Sequence, residues 1–283
     1  MAVLVLGGIV IDYISKAATI DKNANLVDDF CQSLGGMGYN TAAACAQLGV
    51  DTEIIATVGD DFPEVETPKG LTLNLQVDKK LGSTRCFLFY GDKGERQYFY
   101  RGAYNHLDPN ACAPSVKRAD IVHFAGVVPA YLDVMAQAKK AGKTISFNPG
   151  YDIHHYNPGG KLMQGMINGA DYLIVNEDEL EQLGTPPAEI AKKKTVIVTK
   201  GTRGSEVFME GGKNDIGVYL VKTRSPYGAG DTFIGAFLAS ISKGKGPLDA
   251  TKIGSAAASF AVEQSSTAPE LNWEKVLQRA KKI

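Results

Sequence analysis

Apolar residues along the chain gather in short runs with little polar alternation: VLVLG at 3–7, TEIIATVG at 52–59, ADIVHFAG at 119–126, KTISFNPG at 143–150, ADYLIVN at 170–176 and KTVIVTKG at 194–201. Runs of this length, rich in Val and Ile, predict strands covered on both faces. Between and after them lie NTAAACAQLG, YLDVMAQAKKAG, EDELEQLG, FIGAFLASISKG and ATKIGSAAASFAVEQ, which read as helices. Several of these close on glycine, the residue that most readily ends a helix in the left-handed conformation. Strands alternating with helices predict an α/β fold with a doubly wound, mainly parallel central sheet and helices on both faces.

Two segments break the rhythm. Residues 13–33 are polar and extended in character, and residues 81–100, LGSTRCFLFYGDKGERQYFY, alternate around a Gly-Asp-Lys-Gly turn as a hairpin does. Together they predict a small second β-sheet. With no low-complexity linker and no internal repeat, the whole chain, 1–283, reads as one domain carrying this elaboration. The apolar N-terminus lacks a basic region and a cleavage site and is too short to span a bilayer, so it reads as a buried first strand of a soluble protein.

Charge narrows the partners. Thirty Lys and Arg against 31 Asp and Glu give a net charge of −1, which predicts no broad basic face for nucleic acid and points to a small-molecule ligand. The four cysteines, Cys31, Cys45, Cys86 and Cys112, show no CxxC spacing, and a reducing cytoplasm is the expected compartment.

Several stretches could carry chemistry. In SPYGAGDTFIGAFLASI, residues 225–241, Gly228, Ala229 and Gly230 precede an apolar helix. Such a turn frees backbone N–H groups to hold an anion, and Asp231 beside them could accept a proton from an attacking hydroxyl or simply cap the helix. In LGGMGYNTAAACAQLG the glycines before an Ala-rich helix, with Asn40 in its first turn, suit either close approach to a hydroxylated ligand or tight helix packing. Its spacing is not that of a dinucleotide fingerprint, which disfavours a dehydrogenase. Asp12 follows the first strand, where open α/β sheets bind ligands, or it is a turn carboxylate. Asn176 and Glu179 in NEDEL have capping-box spacing, and the same pair could hold Mg²⁺ through water near phosphates. Thr199, Gly201 and Gly204 in TKGTRG suit a turn or a nucleotide phosphate. The adjacent His154 and His155 read as a surface loop rather than a metal site, and His106 and His123 have no evident partner.

The ordered set GGIVID, LGGMGYNTAAACAQLG, VGDD, NEDE, TKGTRG and GAGDTF resembles the ribokinase or PfkB family of carbohydrate and nucleoside kinases over nearly the whole chain. The resemblance implies ATP-dependent phosphorylation of a sugar-like hydroxymethyl group by an α/β domain with a β lid, formed here by 13–33 and 81–100. It implies Asp231 as catalytic base, Gly228, Ala229 and Gly230 as anion hole, and Asp12, Gly36 and Asn40 as sugar ligands. Arg101 would stand near substrate or phosphate, Thr199, Gly201 and Gly204 on the nucleotide side, and Asn176 with Glu179 at Mg²⁺. The lid edge would be available to a second subunit.

Departures from the pattern are informative. Where relatives carry Asp-Thr ahead of GAGD, this chain has Ser225, Pro226 and Tyr227, so a potassium requirement does not follow from the resemblance. FPEVETPKG after VGDD predicts a shortened or lost helix, and EQSSTAPE leaves the adenine contacts unassigned. Val10 and Ile11 before Asp12 give an apolar wall suited to a nucleobase, and GGIVIDYI, GGMGYNTA and SFNPG are most similar to the archaeal nucleoside kinase branch. A ribokinase- or fructokinase-type free-sugar kinase, and a catalytically silent ligand-binding protein of the same fold, are the alternatives.

Overall fold

A computed structural model describes residues 2–17, 27–91, 94–210, 212–224, 227–264 and 269–283. Parts of the expected lid, Ser225 and Pro226, and the middle of EQSSTAPE lie outside the described residues. The strands are β1 (Val3–Gly7), β2 (Val10–Ala17), β3 (Val27–Gly35), β4 (Thr52–Gly59), β5 (Leu71–Asp78), β6 (Arg85–Gly91), β7 (Gly94–Tyr100), β8 (Ile121–Ala125), β9 (Thr144–Asn148), β10 (Tyr172–Asn176), β11 (Thr195–Thr199), β12 (Ser205–Met209) and β13 (Gly212–Ile216). The helices are α1 (Met37–Gln47), α2 (Ala113–Arg118), α3 (Tyr131–Lys140), α4 (Lys161–Gly169), α5 (Glu177–Leu183), α6 (Pro187–Ile190), α7 (Ala229–Ser242), α8 (Pro247–Glu263) and α9 (Trp273–Ala280).

The central sheet runs β13-β12-β11-β10-β9-β8-β1-β4-β5, parallel except for the antiparallel β12 and β13. From β1 the chain builds outward through β4 to β5, then returns to the other side of β1 with β8 and builds outward again. This reversal beside β1 is a switch point, where the loops diverge and leave a crevice at the strands' carboxyl ends. Burial explains the unbroken apolar runs. Val3 and Val5 of β1 enter the core under α1, α7 and α8, while Leu4 and Leu6 enter the opposite core under α2, α3 and α4. The doubly wound arrangement expected from the pattern is therefore present.

Other elements went beyond the pattern. β5 is an edge strand whose residues, LTLNLQVD, alternate instead of forming an apolar run, and β13, GKNDI, is almost wholly polar. Neither has the continuous apolar run that two covered faces impose. Residues 60–70 form no helix, in line with the reading of FPEVETPKG.

The small sheet has the order β3-β2-β6-β7, with β2 antiparallel to β3 and parallel to β6, and β7 antiparallel to β6. Its first hairpin is longer than 13–33 suggests: β2 starts at Val10 and β3 ends at Gly35. Asp12 is consequently neither at the carboxyl end of β1 nor in a turn. The chain leaves β1 at Gly7, and after two residues it is extended again, which places Asp12 inside β2, in register with Ser33 and Cys86.

Two histidines acquire partners. His106 Nδ1 lies 2.7 Å from Asp78 Oδ2. His123, fully buried in β8, meets Ser146 Oγ at 3.1 Å, and burial pushes it down to about 3. It is neutral when folded but protonates near pH 6.5 when unfolded, so its contribution to stability is intact above pH 6.5 and lost progressively from there toward pH 3. Between pH 7 and 4.5 the expected cost is about 2–3 kcal/mol. Urea unfolding of the protein and of His123→Leu should show the variant losing less stability over that interval; equal losses would mean that His123 does not stay neutral.

Candidate active site

The crevice at the switch point is walled by α1 and α7, which pack with almost no gap. A Cβ on Gly235 would come 2.5 Å from the Thr41 carbonyl oxygen, so only glycine permits this approach. Likewise Gly38 lies against Gly7, where a Cβ would sit 2.6 Å from the Gly7 backbone, seating the start of α1 on the end of β1. Close packing thus accounts for Gly38 in LGGMGYN, and Gly36 is packed as well, a Cβ there coming 2.8 Å from the Gly8 carbonyl oxygen. Gly36 precedes α1 with φ 93°, beside Gly8 and Val10.

This packing brings together side chains 191 positions apart: Asn40 Nδ2 donates to Asp231 Oδ2 at 2.9 Å. Asp231 is the third residue of α7, whose N-cap is Gly228 in the left-handed conformation, with no side-chain cap bond. Asp231 therefore does not cap its own helix. The first-turn N–H groups have no side-chain partner among the described residues, and a Cβ on Gly230 would meet only open space. Burial pushes the Asp231 carboxyl up to about 6, against the opposing hydrogen bond from Asn40. Asn40 is 5% exposed, and its Oδ1 has no partner among the described residues, leaving a buried acceptor beside the Asp231 carboxylate.

Asp12 lies against Gly35, where a Cβ would come 1.9 Å from its Oδ2. Burial alone pushes its carboxyl up to about 7. Arg101, just past β7, is exposed; its carbonyl accepts from Thr84 Oγ1 at 2.7 Å, and its charge acts on Tyr156. No hydrogen bond links it to Asp12 or Asp231 among the described residues.

On the other side of the crevice, Asn176 is both the end of β10 and the N-cap of α5, in a complete capping box. Its Oδ1 accepts from the Glu179 N–H at 2.8 Å, and Glu179 Oε2 accepts from the Asn176 N–H at 3.0 Å. Burial pushes Glu179 up to about 7, opposed by the Asn176 and Asn148 hydrogen bonds and increased by the nearby charge of Asp231. Glu179 Oε1 accepts no hydrogen bond among the described residues and is the oxygen left for a hydrated cation. No group of three His, Cys, Asp or Glu forms a metal cage among the described residues.

Thr199 pairs in register with Asn176 across β10 and β11. Gly201 and Gly204 turn the chain after β11 with φ 55° and 83°; a Cβ on Gly204 would sit 2.2 Å from the Ile216 carbonyl oxygen. The glycine at 204 thus has a sufficient steric reason, whereas at Gly201 a Cβ would meet nothing.

Two residues at the crevice have roles that motif reading passed over. Asn148, at the end of β9, donates through Nδ2 to the Ile174 carbonyl at 2.8 Å and to Glu179 Oε2 at 3.1 Å, holding the carboxylate across two strands. Asp152 Oδ2 accepts from Tyr104 Oη at 2.8 Å and the Val127 N–H at 2.9 Å, and lies where a Gly126 side chain would stand. The stretch SFNPGYD was the available signal, since polar residues right after a buried parallel strand point into the crevice. His154 and His155 are exposed, as the sequence suggested, but they end a short 3-10 helix, Gly150–His155, beside the Tyr151 ring rather than lying in a loop.

Comparison with known proteins extends this picture. The pfkB family carbohydrate kinase pattern matches residues 2–274. The chain is 29% identical over 262 residues to the nucleoside kinase of Methanocaldococcus jannaschii, covering 88% of this chain and 85% of the relative. It is 26% identical to a probable fructokinase of Arabidopsis thaliana, over 86% of this chain and 83% of that one. The same fold is found in the crystal structure of the M. jannaschii nucleoside kinase, with TM-score 0.82 and 24% identity over 100% of this chain and 98% of the other. It is found also in Arabidopsis thaliana ribokinase complexed with ribose and ATP, with TM-score 0.87 and 22% identity over 99% of both chains. The chain belongs to the pfkB family of carbohydrate kinases, phosphotransferases that act on alcohol groups.

Proposed function

We propose that this protein transfers the γ-phosphoryl group of ATP to the hydroxymethyl group of a nucleoside. The observation that carries the reading is the Asn40 to Asp231 hydrogen bond, which sets an unpartnered acceptor and a desolvated carboxylate at the uncapped start of α7. In this reading Asp12, Gly36 and Asn40 hold the sugar, and Arg101 stands at the entrance. Asp231 takes the proton of the attacking hydroxyl, and the N–H groups of Gly228, Ala229 and Gly230 receive the charge that develops on the phosphoryl oxygens. Thr199, Gly201 and Gly204 accommodate the nucleotide. Asn176 and Glu179 Oε1 would hold Mg²⁺ through its water shell, where the ion supplies neutralisation of phosphate charge. The small sheet acts as a lid that excludes water, a competing acceptor.

A nucleoside is favoured over a free sugar by apolar and aromatic side chains around the start of α1: Val10 packs on Gly36, and Met37 and Tyr104 line the glycines that follow β8 and β9. The test is turnover of a panel of nucleosides and free sugars with MgATP, read as ADP release. Turnover confined to ribose or fructose would replace the substrate assignment, and none at all would favour a silent binding protein.

Asn40→Ala should raise KM about tenfold, through loss of a buried hydrogen bond, and move the acid limb of kcat to higher pH, because the bond from Asn40 favours ionised Asp231. Unchanged KM would remove Asn40 from the sugar site. The lid also presents aromatic side chains outward. Phe30 and Tyr98 are 59% and 60% exposed, and Phe30 stacks on Tyr13, on the face opposite Asp12. A second copy of the chain would cover this surface. Sedimentation should show a dimer that Phe30→Asp with Tyr98→Asp converts to monomer; a monomeric parent protein would refute this.

A further inference from the structure

A cavity of about 720 Å³ lies away from the crevice, between the carboxyl ends of β4 and β5 and the segment that follows β7. Its size is that of a small-molecule site. Thr57 lines it on the same side of β4 as Ile55, which faces the core under α2 and α3, whereas Asn40 and Asp231 meet between α1 and α7. Thr57 is 7% exposed, and its hydroxyl has no partner among the described residues. A buried hydroxyl without a partner is costly, and one on a residue that lines a cavity of this volume marks a place for a hydrogen-bonding group.

The rim carries cations. Lys79 and Lys80 are exposed at the cavity and make no ion pair among the described residues. The carboxylates present are already engaged. Asp78 accepts from the Lys80 and Leu81 N–H groups and faces His106, and Asp108 accepts from the Asn110 N–H at 2.9 Å. Val77, Leu81 and Ala111 supply apolar surface between rim and floor. A ligand matching this order has an anionic group outward, a compact apolar body and an inner hydroxyl or ring acceptor.

Part of the cavity wall, Lys79, Lys80, Leu81 and His106, belongs to the two connectors of the small sheet. Residues 79–84 lead into β6 and residues 101–106 lead out of β7, and they are tied together by the Ala103 N–H to the Gly82 carbonyl at 3.0 Å and Thr84 Oγ1 to the Arg101 carbonyl at 2.7 Å. Asp61 fastens the first connector to the central sheet. Its Oδ1 accepts from the Ser83 N–H and hydroxyl, both at 2.7 Å, and its Oδ2 meets Arg85 at 2.5 Å. Tyr104, on the second connector, reaches the crevice at Asp152. Anything filling the cavity therefore bears on the base of the small sheet.

We propose that this cavity is an effector site for a phosphate monoester of a small hydroxylated compound, a nucleoside monophosphate or a sugar phosphate, with the phosphate at Lys79 and Lys80 and the body reaching Thr57. Occupancy braces the two connectors and so alters how readily the small sheet closes over the crevice.

Calorimetric titration of the full chain with adenosine 5′-monophosphate, ribose 5-phosphate and inorganic phosphate tests this without relying on turnover or on the nucleoside assignment. Either ester should bind, and the double variant Lys79→Ala with Lys80→Ala should weaken binding about tenfold or more, as should the near-isosteric Thr57→Val. Activity without added ester should be unchanged in both variants, while the ester's effect on KM or kcat should be confined to the parent protein. Equal ester affinity in the parent protein and the lysine variant would put the ligand in the catalytic crevice and overturn the proposal. Binding of inorganic phosphate alone would overturn it as well, as would no binding of either ester.

Discussion

Asp231→Asn should lower kcat by roughly two to four orders of magnitude, the range for loss of general acid–base assistance, while ATP binding persists. The substitution is nearly isosteric, and the asparagine oxygen can still accept from Asn40 Nδ2, so the contact between α1 and α7 is retained. What disappears is the ability to take a proton from the acceptor hydroxyl. The half-buried carboxylate also carries a desolvation penalty, seen in its elevated pKa of about 6, so the variant should be no less stable than the parent protein. Steady-state kinetics with a nucleotide-binding titration and thermal unfolding separates these effects. A variant that turned over at the parent rate would remove Asp231 from the chemistry, and one that lost nucleotide binding together with stability would make it structural.

How Asp231 could be recognised, and how Asp152 escaped, has a physical explanation. The strands of the central sheet are covered on both faces, so each leaves a dense apolar run, and Val3–Gly7 and Thr52–Gly59 were legible to the residue. The glycine turns were legible because few residues tolerate their backbone. Yet glycine alone does not say why it is needed. Gly38 and Gly235 serve helix packing, whereas Gly230 faces open space, and only the folded chain distinguishes them. Asp12 shows a different limit. It was assigned to the wrong element, because two residues suffice to pass from β1 into β2, and the Gly7-Gly8 pair that marks the step does not say how soon the chain becomes extended again. Asn148 and Asp152 act through partners distant in sequence, Glu179 on α5 and Tyr104 on the connector after β7, and such pairings leave no local spacing to read. β5 alternates at the edge of the sheet, and its irregular neighbours hold the Thr57 cavity, which no motif announced.

The activity should fall steeply with acid, by about three orders of magnitude in kcat/KM between pH 8 and pH 5, because two carboxylates must be ionised. Burial raises both, Asp12 to about 7 and Asp231 to about 6, so each keeps its proton to a higher pH than a solvated aspartate. The sign follows directly. Above pH 7 both are charged; between pH 7 and 6 Asp12 loses its charge first and weakens its hold on the sugar hydroxyls; below pH 6 the base is also neutral. Log kcat/KM should therefore rise with slope two below pH 6 and slope one up to pH 7. In the substrate complex, where Asp12 is already engaged, kcat should depend chiefly on Asp231 and show slope one. Asp12→Asn should abolish the upper transition in kcat/KM and retain the lower. A profile flat from pH 5 to 8 in the parent protein would mean that neither carboxylate has to lose a proton, and the assignment of Asp231 as base and Asp12 as sugar ligand would fail together.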